Sequence, residues 1–270
     1  MSVTYDDIVS AQQEQGDVIR KTSLTFSDTF TQLTGSTVYL KNEFEQKTGS
    51  FKLRGAYYKI KTLSTEERKN GVVAASAGNH AQGVAFASAL EKISCTIVMP
   101  KNASPAKVAA TRGYGATVVL DGKNYDEAWI KAQEIAKTTS ATIIHAFDDS
   151  QIIAAQGVIG LEIIEQLPDV DEIYVPIGGG GLAAGVLVAG LAYWAISSMT
   201  GSEEDVEAFA SFGKVGLEYT KLPDNYYLRF VTNNKLSSDY LEHANKIFYG
   251  HKGNIQNQDK GYLIQFGLEF

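Results

Sequence analysis

Cysteine is almost missing from this 270-residue chain. Cys95 stands alone, which excludes an intramolecular disulfide and a thiolate metal cluster and is what a reducing cytosol would give. It falls in the apolar run 95–99 and reads as a buried structural thiol rather than a nucleophile. His145, His243 and His251 show no ligand spacing with a cysteine or carboxylate, so no metal site is expected. Basic clusters are lacking too. A net charge of −7 with scattered Lys and Arg leaves no electrostatic footprint for nucleic acid. Residues 1–16 are acidic and glutamine-rich and lack the basic start and apolar run of a signal peptide, so a cytoplasmic location is expected. One uncharged run, the eighteen residues 182–199, reaches the lower edge of membrane-spanning length. It is rich in Ala and Gly, follows a glycine loop and has no basic flank, so it predicts a buried core helix and no membrane association.

What is present is an ordinary soluble composition, 44% hydrophobic and 20% charged, in a chain long enough for one large or two modest domains. Short continuous apolar runs at 72–75, 96–99, 117–120 and 142–144 predict buried parallel strands. Between them 79–90, 105–112 and 125–138 predict helices. The last carries Trp129, Ala132, Ile135 and Ala136 on one stripe, and the second opens on Ser104 as cap with Pro105 in the first turn. A further helix is expected at 151–167, then a strand at 172–177 that enters Gly178-Gly179-Gly180-Gly181. Alternating strands and helices of these lengths predict an α/β fold with helices on the faces of a parallel sheet. Beyond residue 200 the pattern changes. A short helix start at 201–207, strands at 226–231 and 263–270 and a helix at 237–248 could form a small α+β cap.

Three segments carry candidate chemistry. Lys52 lies in Ser50-Phe51-Lys52-Leu53-Arg54-Gly55-Ala56, and a lysine amine is the side chain that forms a Schiff base with a carbonyl cofactor. Read without its neighbours, the segment offers Lys52 and Arg54 as two surface charges at a helix start. Phe51 would give a flat cofactor an aromatic wall. The second segment, Ser76-Ala77-Gly78-Asn79-His80, sits where a strand turns into a helix and offers donors for a carboxylate, with His80 also readable as a polar neighbour that orients the loop. The third is the four glycines with Leu182, where converging backbone N–H groups and a helix N-terminus suit an anion. The pattern matches neither the dinucleotide fingerprint nor the P-loop.

These segments, their order, and Val38-Tyr39-Leu40-Lys41-Asn42-Glu43, Val98-Met99-Pro100 and His145-Ala146-Phe147-Asp148-Asp149 resemble the pyridoxal 5'-phosphate (PLP) dependent threonine dehydratases, over about residues 21–188. The resemblance implies the type II PLP fold shared with serine racemase and the tryptophan synthase β-subunit. It implies a smaller domain over 51–146, a larger one from 1–50 plus 147–200, and 201–270 as an atypical segment. Lys52 would be the Schiff-base lysine and α-proton base. Phe51, Asn79, Gly178, Gly179, Gly180, Gly181 and Leu182 would bind cofactor, and Ser76, Gly78, Asn79 and His80 the substrate. The implied reaction converts L-threonine to 2-oxobutanoate and ammonium, and L-serine to pyruvate, in a homodimer or homotetramer. Two departures bear on this. Ala77 stands where serine racemase has a second serine, which disfavours racemisation, and Thr22-Ser23-Leu24 replaces the usual Thr-Pro-Leu. The family's larger domain continues well past its glycine loop to a Ser-Gly-Gly-Asn-like segment whose serine meets the cofactor ring nitrogen. Nothing after Val188 resembles it, so an incomplete larger domain and a catalytically impaired relative are the alternative expectation, with a racemase-like enzyme as another.

Overall fold

A computed structural model describes residues 3–198. The expected elements beyond residue 200 lie outside the described residues. In chain order the helices and strands are α1 (Tyr5–Gln15), β1 (Leu24–Phe26), α2 (Asp28–Thr34), β2 (Tyr39–Lys41), α3 (Lys52–Lys61), α4 (Thr65–Asn70), β3 (Val72–Ala75), α5 (Asn79–Leu90), β4 (Cys95–Met99), α6 (Pro105–Gly113), β5 (Thr117–Leu120), α7 (Tyr125–Thr139), β6 (Thr142–Ile143), α8 (Ser150–Gln166) and α9 (Gly181–Ser198). β1 and β2 form an antiparallel pair, while β5-β4-β3-β6 is a parallel sheet.

The apolar runs of β3 and β4 are continuous because both sheet faces are covered. Val72, Ala74, Ile97 and Met99 point into a core shared with α3, α5 and α6, and Val73, Ala75 and Val98 into one shared with Ala128 and Ala132 of α7. The stripe foreseen on α7 is thus a packing stripe. Successive units build outward from β3 to β4 and β5, and α7 then returns across the opposite face to set β6 on the other side of β3. That reversal makes the C-terminal ends of β3 and β6 a topological switch point, the place where open α/β sheets bind ligands.

Helix α3 is gripped from two sides. A Cβ at Gly83 of α5 would lie 3.2 Å from the Lys52 carbonyl, and one at Gly55 would lie 2.6 Å from Gln156 Nε2 of α8. Helices α8 and α9 meet just as closely, with Gly185 set against the Ile153 carbonyl and Gly157. Ile8 and Ala11 of α1 pack on this pair, and the Gln15 amide donates to the Ala155 carbonyl at 3.0 Å. Thr4 and Asp7 close a capping box that starts α1.

Arg54, 0% exposed, holds the N-terminal hairpin to this frame. Its guanidinium donates to both oxygens of Glu43 (2.7 and 2.8 Å) and both of Glu162 on α8 (2.6 and 2.9 Å). Lys41 Nζ reaches Glu162 at 2.6 Å, the Thr22 carbonyl at 2.8 Å and Gln166 at 2.9 Å. The reading of Arg54 as a surface charge is therefore corrected.

Two local expectations also change. Residues 172–177 run as irregular chain instead of a strand. Their apolar side chains are accounted for by packing, with Val175 buried against Ile159, Ile163, Ala183 and Val186 and with Ile173 and Ile177 alongside. Ser104 occupies the cap position of α6 but its side chain makes no capping hydrogen bond, which leaves Pro105 as the operative start signal. Among the described residues no helix is long and apolar enough to cross a membrane, α9 included.

Removing one partner of a buried ion cluster strands the other charges, at a cost of about 3–5 kcal/mol. Arg54→Met should lower unfolding stability by that order in urea titrations. A loss below about 1 kcal/mol would mean that the cluster behaves as a surface pair.

Candidate active site

Lys52 is the first residue of α3, and its amine donates to the Ala146 carbonyl at 2.7 Å, just past the end of β6. It lies 5.3 Å from the Phe51 ring centroid. Burial lowers its pKa from 10.5 to about 8, so its neutral fraction near neutral pH is minor but far above that of an ordinary lysine. Phe51 itself packs into the cluster that contains Ile177 and Leu182 and thus borders the glycine loop.

On the neighbouring strand, Ser76 continues β3 through its N–H to the Val98 carbonyl, and its hydroxyl accepts from the Gly78 N–H at 3.1 Å. Gly78 is the N-cap of α5 and provides no side-chain cap, which leaves the first-turn N–H groups available to an anion. Asn79 is exposed at that helix start. His80 is buried, and its Nε2 lies 2.9 Å from the Ile144 carbonyl. Burial pushes its pKa down to about 3, so the ring is neutral, and the carbonyl partner requires the proton on Nε2. The bond ties the start of α5 to the chain that follows β6 through an uncharged ring.

The glycine loop leads into α9, whose first hydrogen bond runs from the Ala184 N–H to the Gly180 carbonyl. Its glycines serve separate ends. Gly180 has φ +85°, which favours glycine. A Cβ on Gly179 would collide with the Phe147 ring and one on Gly181 would lie 2.5 Å from the Phe147 carbonyl, whereas Gly178 faces open space. Phe147 adjoins Ala146, so the lysine and the glycine loop are both referenced to one short turn, 145–148. That turn lay inside a recognised motif, but its sequence carried no signal for either contact. Also unforeseen were Thr48 Oγ1 and Ser50 Oγ, buried just ahead of Lys52 with no hydrogen-bond partner among the described residues.

The family described as pyridoxal-phosphate dependent enzyme matches residues 16–219. The chain belongs to that family. Its architecture is the type II, tryptophan-synthase-β-like PLP fold. The L-threonine ammonia-lyase of Thermotoga maritima is 54% identical over 187 residues, 69% of this chain and 47% of that protein. The catabolic L-threonine dehydratase of Escherichia coli is 48% identical over 189 residues, 70% and 57% respectively. The structure of maize serine racemase matches with a TM-score of 0.69 at 35% identity, covering 72% of this chain and 59% of that one. The chain spans about half the length of the curated relatives it matches.

The residues present fit the family's cofactor. The donor set is a partly buried amine of lowered pKa, an uncapped helix start at Gly78, a Gly178 with nothing crowding its Cβ position and an unpartnered Ser50 hydroxyl. Cys95 is set apart from this chemistry, buried at the first position of β4 with its pKa pushed up to about 11 by burial.

The Lys52 shift carries a sign. An unfolded chain keeps this amine protonated to about 10.5 and the folded chain only to about 8, so its contribution to stability rises with pH between those values and is flat below them. In cofactor-free protein, acylation of Lys52 followed by mass spectrometry should show a midpoint near pH 8. A midpoint near 10.5, like that of a surface lysine, would contradict the burial seen here.

Proposed function

We propose that this chain deaminates L-threonine to 2-oxobutanoate and ammonium, and L-serine to pyruvate, with PLP held at the switch point beyond β3 and β6. The observation that carries the reading is the Lys52 amine, buried at that switch point with its pKa near 8. Residues 51–146 are assigned to a smaller domain and 1–50 with 147–200 to a larger one, with the cofactor between them.

Lys52 Nζ would hold the cofactor carbonyl, Phe51 would flank it, the Asn79 amide would donate to the ring oxygen, and the N–H groups of Gly178, Gly179, Gly180, Gly181 and Leu182 would receive the phosphate. When bound, the cofactor supplies an electron sink that makes the substrate α-proton acidic. With the substrate bound, Lys52 Nζ would take up that proton, and a pKa lowered from 10.5 to about 8 keeps far more of this amine in the neutral, basic form than an ordinary lysine would have. Ser76, Gly78 and Asn79 at the start of α5 hold the substrate carboxylate, with neutral His80 fixing the loop by its bond to Ile144. The β-hydroxyl would leave as water, its proton balanced by the α-proton that Lys52 Nζ removed, and a water added on release would free ammonium and the 2-oxo acid. Ala77 has no hydroxyl to return a proton to the opposite face, which favours elimination over racemisation.

Protein reconstituted with PLP should form 2-oxobutanoate from L-threonine, and Lys52→Ala should reduce turnover by at least about 10³-fold. Residual turnover within tenfold of the parent would remove Lys52 from its role. With L-serine the parent should yield pyruvate and little D-serine, while Ala77→Ser should raise D-serine. Abundant D-serine from the parent on chiral chromatography would overturn the lyase reading.

A further inference from the structure

The main chain between the end of the sheet and the start of α8 is organised by one side chain. The last β6 contact to β3 is the Ile144 N–H on the Val73 carbonyl, and α8 is capped by Asp149 Oδ1, which accepts from Gln151 and Ile152. Between them the N–H groups of Phe147 (3.2 Å) and Asp148 (2.7 Å) both donate to His145 Nδ1. The turn is thus wrapped around the ring of its own first residue. The ring is fixed in turn by edge contacts, with Trp129 of α7 at 5.3 Å and Phe147 at 4.7 Å, and Tyr125 stacks on Trp129 behind it.

We propose that His145 is a positioning residue, which by folding the 145–148 turn around its Nδ1 sets both the Ala146 carbonyl that receives the Lys52 amine and the Phe147 ring that backs the glycine loop. This rests on the reading of Lys52 and the glycine loop as the cofactor site and adds the element that holds them in mutual register. Two donors on Nδ1 require that nitrogen to be unprotonated. Lys52 and burial favour the neutral ring, Asp148 and Asp149 oppose them, His80 on α5 is itself neutral, and the α7 contacts are uncharged. The net effect lowers the His145 pKa below 6.5, with burial the largest cause. The turn is therefore intact above about pH 6.5 and is lost as pH falls through the lowered value, where Nδ1 becomes a third donor facing two others.

His145→Asn and His145→Phe separate the acceptor from the ring. Asparagine keeps an oxygen that accepts from N–H groups two and three residues on, and phenylalanine keeps the packing without an acceptor. The readout is the pH midpoint of Lys52 acylation in the cofactor-free full chain, with thermal melting alongside and PLP affinity measured by absorbance titration. The proposal expects H145N to keep the Lys52 midpoint within about 0.3 unit. It expects H145F to raise it by about one unit as water reaches the amine, and to weaken PLP binding about tenfold or more. An unchanged midpoint in H145F overturns it, as does a shift in H145N as large as that in H145F. If H145F does not fold, H145N decides alone: it has lost the ring, so a preserved midpoint supports the acceptor role and a raised one overturns it. A parent that takes up no PLP would sink the functional reading, while the acylation midpoints would still decide the role of His145.

Discussion

A fully buried guanidinium between two carboxylates is the constraint on which the rest of this structure depends. Arg54 sits two residues after Lys52, and its bidentate bonds to Glu43 and Glu162 draw the β1–β2 hairpin, α3 and α8 to one point. Four buried or partly buried charges, those of Lys41, Glu43, Arg54 and Glu162, balance to zero, so the cluster tolerates low dielectric only while every member is present. A lysine in place of Arg54 would be no small change, because two carboxylates are met by one planar fork. Through this cluster the first turn of α3 is fixed in angle and depth, and with it the backbone from which the Lys52 amine projects.

The second element of design is the sheet order. Because β6 lies on the opposite side of β3 from β4, the loops after β3 and β6 emerge side by side at one end of the sheet. His80 from the first loop bonds Ile144 in the second, Lys52 from α3 bonds Ala146, and Phe147 supports the glycine loop ahead of α9. Three stretches distant in sequence thus converge on the 144–147 backbone. The glycine loop is steadied from the far side by the Gly157–Gly185 contact between α8 and α9, where any side chain would separate the helices.

Much of this was legible in the sequence, for physical reasons. Strands with both faces covered show as uninterrupted apolar runs, as β3 and β4 do, and these were placed to within a residue. β5 and β6 were placed as closely, but the expectation that they are buried is corrected, since β5 is an edge strand with Leu120 exposed and β6 is half-buried. Helices α5, α6, α7 and α8 followed from spacing and caps. Lys52, Asn79 and the glycine loop were picked out as candidates by the resemblance to the PLP family, with the lysine amine as the residue type that chemistry itself singles out. The misses share a cause: they depend on partners distant in sequence. An arginine reads as solvated until two glutamates are found beside it. The apolar stretch 172–177 reads as a strand when it is in fact packed on α8 and α9. Helix α1 is mostly polar, and its two buried apolar side chains, Ile8 and Ala11, find their cover on α8 and α9, Ile8 lying against Gly157. Two of the four glycines, read as ligand donors, are also required by the bulk of Phe147.

The central claim is that one lysine, held by this frame, is the cofactor-bearing amine. Its most direct test is to incubate the chain with PLP, reduce with borohydride and map the stably modified peptide by mass spectrometry. The account predicts a single pyridoxyl-modified residue, Lys52. Modification spread over surface lysines, or none at Lys52, would contradict it.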